Sequence, residues 1–341
     1  MAHMSSLHSG ISAQEHEEKL FEIRNNRDLS CFDVISIDDL TVEDIYLILD
    51  IAEEMKKSGT KKLGLLKGAT IVNAFYENST RTKSSFEMAG KHLGADTINM
   101  SGSSSSAKKG ESYHDTTMTL AAYGAQVIIM RSEYSGLPEQ LKNNVSSAII
   151  NAGDGWHEHP SQALLDVKTI IDHHGTLEGK IVTMIGDIMH SRVFGSVARI
   201  IKKLGGTLRV ACPLTFVPEN VEKVFDIEIF TNVEKALLGA DVVYSLRVQE
   251  ERGSGGFIPS LREYSKTFGI TKERLELADK NAILMHPGPV IRDIDIHSAL
   301  VTLDSKARVL DQVENGMAIR GTLQWLLADR FDGKVKPYKA I

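Results

Sequence analysis

Cysteine is nearly absent: Cys31 and Cys212 are the only two in 341 residues. They lie far apart and form no C-x-x-C pair, which excludes a disulfide framework and a cysteine-based zinc site. Both are expected as reduced thiols, consistent with a cytoplasmic protein. No apolar run approaches the roughly 20 residues that span a bilayer. An excess of positive charge is also missing. The formal net charge is −6, so no general attraction to nucleic acid or to an anionic membrane is expected. Any anion site must come from local clustering of Arg and Lys. No repeat of solenoid period occurs. Residues 1–14, rich in Ser, His and Gly, have no apolar h-region. They read as neither a signal peptide nor a helix, and are expected to be vector-derived or disordered in part.

What is present suffices for two cores: 42% of residues are apolar and 25% charged. A strand-then-helix rhythm runs along the chain. Strands are expected at 69–76 (ATIVNAFY), 126–130 (QVIIM) and 147–151. Helices are expected at 82–93 and at 160–174, where apolar residues recur at helical spacing. A second series has strands at 180–186, 207–211, 241–246 and 282–285 and a helix at 193–204, with a last helix at 313–327. Alternating strands and crossover helices imply parallel sheets covered on both faces. The fold class is thus α/β, with two doubly wound parallel-sheet domains joined near the helix at 160–174. The stretch 101–106 is a Ser/Gly loop followed by Lys108 and Lys109, a type of long polar loop that is often functional.

In open α/β sheets ligands bind beyond the carboxyl ends of strands, so the residues just after each strand are informative. The first strand is followed by Glu77-Asn78-Ser79-Thr80-Arg81-Thr82, opening a helix. One hydroxyl is enough for an N-cap. Three around an arginine, at a helix end that already favours anions, describe a phosphate cradle. It is not a Walker loop, since the Gly-rich run and the Gly-Lys-Ser/Thr end are missing. Arg131 directly follows QVIIM and is a candidate second cation, with an ordinary surface arginine as the alternative. Next comes a Gly-rich turn, Asn151 to Glu158, leading into His159-Pro160-Ser161-Gln162. His157 and His159 with Asp154 and Glu158 raise the question of a metal, but the histidines lack helical i, i+4 spacing. The other reading is that His159 and Gln162 meet a reacting carbonyl from a helix N-terminus. In the second series, Gly186 to Arg192 ends a strand and opens a helix without any G-x-G-x-x-G. Arg247 and Gln249 follow 241–246. His286-Pro287-Gly288-Pro289 follows 282–285 and reads as a rigid loop able to present backbone carbonyls, with a purely structural turn as the alternative.

In motif order, these segments resemble the aspartate/ornithine carbamoyltransferase family from about residue 29 onward. Ser79-Thr80-Arg81-Thr82 looks like the family's carbamoyl-phosphate motif. His159 to Gln162, followed by Ala163-Leu164-Leu165-Asp166, looks like its second signature. His286-Pro287-Gly288-Pro289 replaces the His-Cys-Leu-Pro of ornithine enzymes, and Ser-Met-Gly is missing. Arg247-Val248-Gln249 and 105–111 (SSAKKGE) resemble the aspartate branch. Departures are Lys83 for Arg, Glu250 for Lys, and Ile291-Arg292-Asp293 for Asn-Arg-Gly.

The resemblance implies a carbamoyl-phosphate-binding domain of residues 29–165 plus 312–341, with the C-terminal helix returning to the first domain. Residues 166–311 would form an aspartate-binding domain, and 1–28 an N-terminal extension. It implies carbamoyl transfer from carbamoyl phosphate to L-aspartate, in pyrimidine biosynthesis, with no metal and no organic cofactor. Phosphate would be held by Ser79, Thr80, Arg81, Thr82 and Arg131. The carbonyl oxygen would meet Thr82, Arg131 and His159, and the carbamoyl amide Gln162, with Pro287 and Gly288 in the same set. Of these, Arg81, Thr82, Arg131 and His159 would be catalytic. Arg192, Arg247, Gln249 and Lys109 would bind aspartate, with Ser105 and Lys109 supplied by a neighbouring chain of a homotrimer. Regulatory or dihydroorotase-type partner chains are compatible with this. Two alternatives stay open: another acceptor (ornithine, putrescine or oxamate), or a non-catalytic homologue serving as a scaffold.

Overall fold

The computed structural model describes residues 11–101, 111–248, 260–302 and 304–329. By internal packing the chain divides into two units, one reaching Leu164 and resuming at Glu314, the other spanning Leu165–Val313. The chain passes from one to the other inside two helices.

The first unit opens with α1 (Ala13–Arg24) and α2 (Val42–Ser58). Both begin with capping boxes, Ser12 with Glu15 and Thr41 with Asp44, which pair N–H groups that a helix start leaves orphaned. There follow β1 (Thr70–Phe75), α3 (Thr80–His92), β2 (Asp96–Ser101), α4 (Tyr113–Ala122), β3 (Val127–Ser132), α5 (Leu137–Leu141), β4 (Ala148–Asp154) and α6 (Pro160–His174). The expectation that residues up to 14 are not helical is corrected at its edge. The Ser12 cap starts α1 at Ala13, and fully buried His16 pairs with Glu54 of α2 at 2.6 Å. Every pairing in the sheet is parallel, in the order β2-β1-β3-β4. Val127, Ile128, Ile129 and Met130 are all fully buried, as expected of a parallel strand covered on both faces. Val72, Ala74, Ile128, Met130 and Ile149 pack with Leu120 of α4 and with Leu137 and Leu141 of α5.

The second unit runs β5 (Ile181–Ile185), α7 (Arg192–Lys203), β6 (Thr207–Ala211), α8 (Val221–Phe225), β7 (Glu228–Phe230), α9 (Val233–Leu237) and β8 (Val242–Ser245). It continues with α10 (Leu261–Phe268), α11 (Lys272–Leu275), β9 (Ile283–Met285), α12 (Ser298–Thr302) and α13 (Val309–Ala328). This sheet is also parallel throughout, in the order β7-β6-β5-β8-β9. The fold is therefore α/β with two doubly wound parallel sheets. The later part of α13 returns to the first unit, where Gln324 donates to the Phe86 carbonyl at 3.0 Å and Arg320 to Ser85 Oγ at 2.7 Å.

Two histidines end α6 in the second unit. Burial, first, and the nearby Arg308 lower the pKa of His173 from its ordinary 6.5, and burial, first, and His173 lower that of His174. In the pH range below 6.5 the unfolded chain binds these protons more readily than the folded one. Stability from this source is therefore present above that pH and is lost as pH falls toward the depressed folded values. Thermal unfolding followed from about pH 8 to pH 5 should show a falling midpoint. Replacing both residues with Gln should flatten the acid side of the curve; an unchanged slope would assign it to other groups.

Candidate active site

Strand order places a topological switch point in each unit. In the first it lies between β1 and β3, and in the second between β5 and β8, where successive connections leave in opposite directions. Crevices at such points, beyond the strand carboxyl ends, are where open α/β sheets bind ligands. The segment after β1 is 77–82, and Arg131 sits near the end of β3 paired with Phe75. The segment after β5 is 186–192, and Arg247 follows β8 by two residues. All four expected cationic segments thus stand at switch points.

In the first unit Ser79 occupies the N-cap of α3 in an extended conformation, yet its hydroxyl makes no capping bond. The simple capping reading fails, and the hydroxyl stays beside the helix N-terminus as an added donor. Thr80 and Arg81 are exposed on the first turn, whereas Thr82 is buried. Arg131 is held from two sides: Nη1 donates to the Ala152 carbonyl at 3.1 Å and Nη2 to Glu77 Oε1 at 3.2 Å. This carboxylate, to which sequence reasoning gave no role, ties the end of β3 to the segment after β1.

The turn from β4 into α6 is organised by two fully buried acids. Asp154 Oδ1 accepts from Asn151 Nδ2 at 2.7 Å and from the Glu158 N–H at 3.1 Å. Its Oδ2 accepts from the Gly136 N–H at 2.6 Å and lies 3.1 Å from His157 Nδ1. Glu158 accepts from the Ser36 hydroxyl and from the Ile37 N–H at 3.0 Å. Gly155 has φ 45°, and a Cβ there would come within 2.1 Å of Ser135 Oγ, so the turn needs glycine. The acids raised as metal co-ligands thus accept from the turn and from the segments packed on it. Among the described residues no group of three or more His, Cys, Asp and Glu is placed to hold a metal. The turn leaves His159, 4% exposed, at the start of α6, its carbonyl accepting from the Gln162 N–H at 2.9 Å. Gln162, also buried, sits on that first turn.

In the second unit the loop after β5 closes on itself. Asp187 accepts from the His190 N–H at 3.1 Å, and its two oxygens each lie 3.0 Å from His190 Nδ1. Gly186 has φ 130°, and a Cβ would meet the Leu246 carbonyl at 2.7 Å; the glycine serves close packing of adjacent strand ends. Ser191 caps α7 by accepting from the Phe194 N–H at 3.4 Å. Arg192 follows as its first residue, 4% exposed. Arg247 is half-buried. Nearby Cys212 is a buried free thiol whose pKa is pushed up to about 12, chiefly by burial, which removes it as a nucleophile.

The 286–289 loop has one polarity. Pro287 and Pro289 carry no N–H. The Gly288 N–H donates to His286 Nδ1 at 2.8 Å, and His286 Nε2 faces Asp295 Oδ2 at 3.2 Å. The same oxygen accepts from the Ile291 N–H at 2.8 Å. The carbonyls of Pro287 and Gly288 are left as the loop's polar groups, so it suits an N–H donor. The departure at 291–293 is accommodated. Asp293 takes φ 65° and accepts from the Ser298 N–H at 2.8 Å and from its hydroxyl at 2.7 Å. Asp tolerates this region better than most residues. Gln249, Glu250, Ser105 and Lys109 lie outside the described residues.

The fold defines a doubly wound α/β protein of two parallel sheets with arginine-bearing segments at both switch points. Comparison with known proteins makes this specific. Residues 33–172 match the aspartate/ornithine carbamoyltransferase, carbamoyl-P binding domain, and residues 178–327 match the Asp/Orn binding domain. The chain belongs to the aspartate/ornithine carbamoyltransferase family. It is 46% identical to the aspartate carbamoyltransferase catalytic subunit of Ruminiclostridium cellulolyticum, covering 87% of this chain and 96% of that one. It is 49% identical to the corresponding subunit of Natranaerobius thermophilus, covering 86% and 95%. The structure of aspartate transcarbamoylase from Trypanosoma cruzi in complex with carbamoyl phosphate and aspartate superposes with TM-score 0.79. The identity is 28%, covering 86% of this chain and 96% of that one.

The organising role of Glu158 is open to test. Glu158→Ala strands two donors and should lower folding stability by about 3 kcal/mol, read as a drop in the urea midpoint. Glu158→Gln, which keeps an acceptor, should cost less. Equal midpoints for wild type and Glu158→Ala would remove the carboxylate from this role.

Proposed function

We propose that the chain transfers the carbamoyl group of carbamoyl phosphate to the amino group of L-aspartate, releasing N-carbamoyl-L-aspartate and phosphate. The observation that carries this reading is the placement of two cationic sets at the switch points of the two sheets. Arg81 and Arg131 with Ser79, Thr80 and Thr82 stand at one, and Arg192 with Arg247 at the other. The reaction brings together two anionic substrates, an acyl phosphate and a dicarboxylate, so a protein of net charge −6 must build local positive charge for each. Near-full-length relatives named as aspartate carbamoyltransferase catalytic subunits support the same choice.

In this reading Ser79, Thr80, Arg81, Thr82 and Arg131 bind the phosphate. The neutral amine attacks the carbonyl carbon, a tetrahedral oxyanion forms, and the C–O bond to phosphate breaks. Thr82, Arg131 and His159 donate to the oxygen on which charge develops. Gln162 and the carbonyls of Pro287 and Gly288 take the carbamoyl NH2. The departing phosphate accepts the amine proton. Guanidinium groups of Arg192 and Arg247 match the aspartate carboxylates bidentately, with Gln249 and Lys109 completing the set. No metal or organic cofactor enters. Lys109 and Ser105 come from a neighbouring chain, making a homotrimer the working unit, in the cytoplasm, at the carbamoyl-aspartate step of pyrimidine synthesis.

The deciding assay offers carbamoyl phosphate with aspartate, ornithine, putrescine or oxamate and measures ureido product. Aspartate should be used in strong preference; a preferred cationic acceptor would contradict the roles of Arg192 and Arg247. No turnover at all would favour the scaffold. His159→Ala should lower kcat by about a hundredfold to a thousandfold, while phosphate affinity changes little. Mixing inactive Lys109→Ala and His159→Ala chains should restore roughly a quarter of wild-type activity if each site draws on two chains of a trimer. Absence of any recovery, with mixed trimers present, would place Lys109 in its own chain's site.

A further inference from the structure

The acceptor loop leaves the second sheet at His286. The pairing of β8 with β9 ends at Tyr244 and Met285, so the His286 N–H lies one residue past the ladder and is buried. It donates instead to Gln312 Oε1 of α13 at 3.0 Å. The other end of that amide, Nε2, donates to Asp166 Oδ1 of α6 at 2.7 Å. Asp166 Oδ2 accepts from the Tyr244 hydroxyl at 2.7 Å. All of these side chains are buried, Asp166 at 1% exposure and Gln312 at 3%.

An amide has two nearly isosteric ends, one donating and one accepting, while a carboxylate only accepts. One orientation of Gln312 therefore satisfies both neighbours, with nitrogen toward Asp166 and oxygen toward His286. The reverse would set an amide N–H against the His286 N–H and an oxygen against a carboxylate. We infer that Asp166, acting through Gln312, is a positioning residue for the acceptor loop. It sets the polarity of the amide that pins the His286 N–H, and so fixes where the Pro287 and Gly288 carbonyls point. Asp166 lies one helical turn beyond Gln162 on α6. A single helix thus carries a residue for the carbamoyl amide and the anchor for the loop that meets the same NH2. The inference rests on the reading of 287–288 as the contact for that group.

The test uses the full chain and compares binding of carbamoyl phosphate with that of acetyl phosphate, which has a methyl in place of NH2. Inorganic phosphate serves as the control ligand. Wild type should prefer carbamoyl phosphate. Gln312→Glu opposes two carboxylates and should reduce that preference about tenfold, with affinity for inorganic phosphate unchanged. Combining it with Asp166→Asn should restore the preference to within about threefold, because the pair then couples strongly. The introduced amide donates to the introduced carboxylate, which still accepts from His286, and Tyr244 still donates to the amide oxygen. If Gln312→Glu does not fold, Gln312→Met removes the acceptor without adding charge and should show the same tenfold loss. Undiminished preference in the single variants, or a double variant no better than Gln312→Glu, would overturn the relay. A wild type that binds both acyl phosphates equally would overturn the assignment of 287–288, and the relay with it.

Discussion

Parallel pairing is the constraint on which the rest of this molecule depends. When every strand of a sheet runs one way, all the segments that follow strand ends gather at one edge. That edge is also where backbone groups run out of ladder partners. In the first unit Asp154 and Glu158 accept from such N–H groups, and in the second Asp187 and Asp295 do, while Glu77 and Asp166 hold the side chains of Arg131 and Gln312. All but Glu77 are buried, and they hold the loops at the strand ends. The negative side chains here are structural; the positive ones are those proposed to meet ligands.

This division explains how a chain of net charge −6 handles anions. Long-range field would repel them, so attraction has to be short-ranged, from guanidinium groups, hydroxyls and helix N-termini within hydrogen-bonding reach. Ser79 illustrates the point: a residue in the N-cap position that leaves its hydroxyl out of the cap adds a donor where the helix already offers several.

Much of this was legible in the sequence. The central strands announced themselves because 127–130 is apolar at each position, and α6 matched its expected limits because Pro160 marks the start. The switch-point residues were legible because they follow those strands. Edge strand β2 was not, since Asp96, Thr97 and Asn99 read as polar and Ile98 is 45% exposed. Helices α1 and α2 escaped notice although their capping boxes are written in the chain. The acid relays could not be read at all. Asp166 and Gln312 are 146 residues apart, and nothing local distinguishes a buried aspartate from a surface one.

The contrast between the two thiols has a practical side. Cys212 is sealed in the second unit and held protonated, whereas Cys31 is partly open to solvent. Alkylating reagents act on the thiolate, so at neutral pH they should discriminate sharply between the two positions. The chain thus offers one attachment point for a dye or spin label, next to Ser30, whose N–H donates to Asp44 of α2 at 2.9 Å.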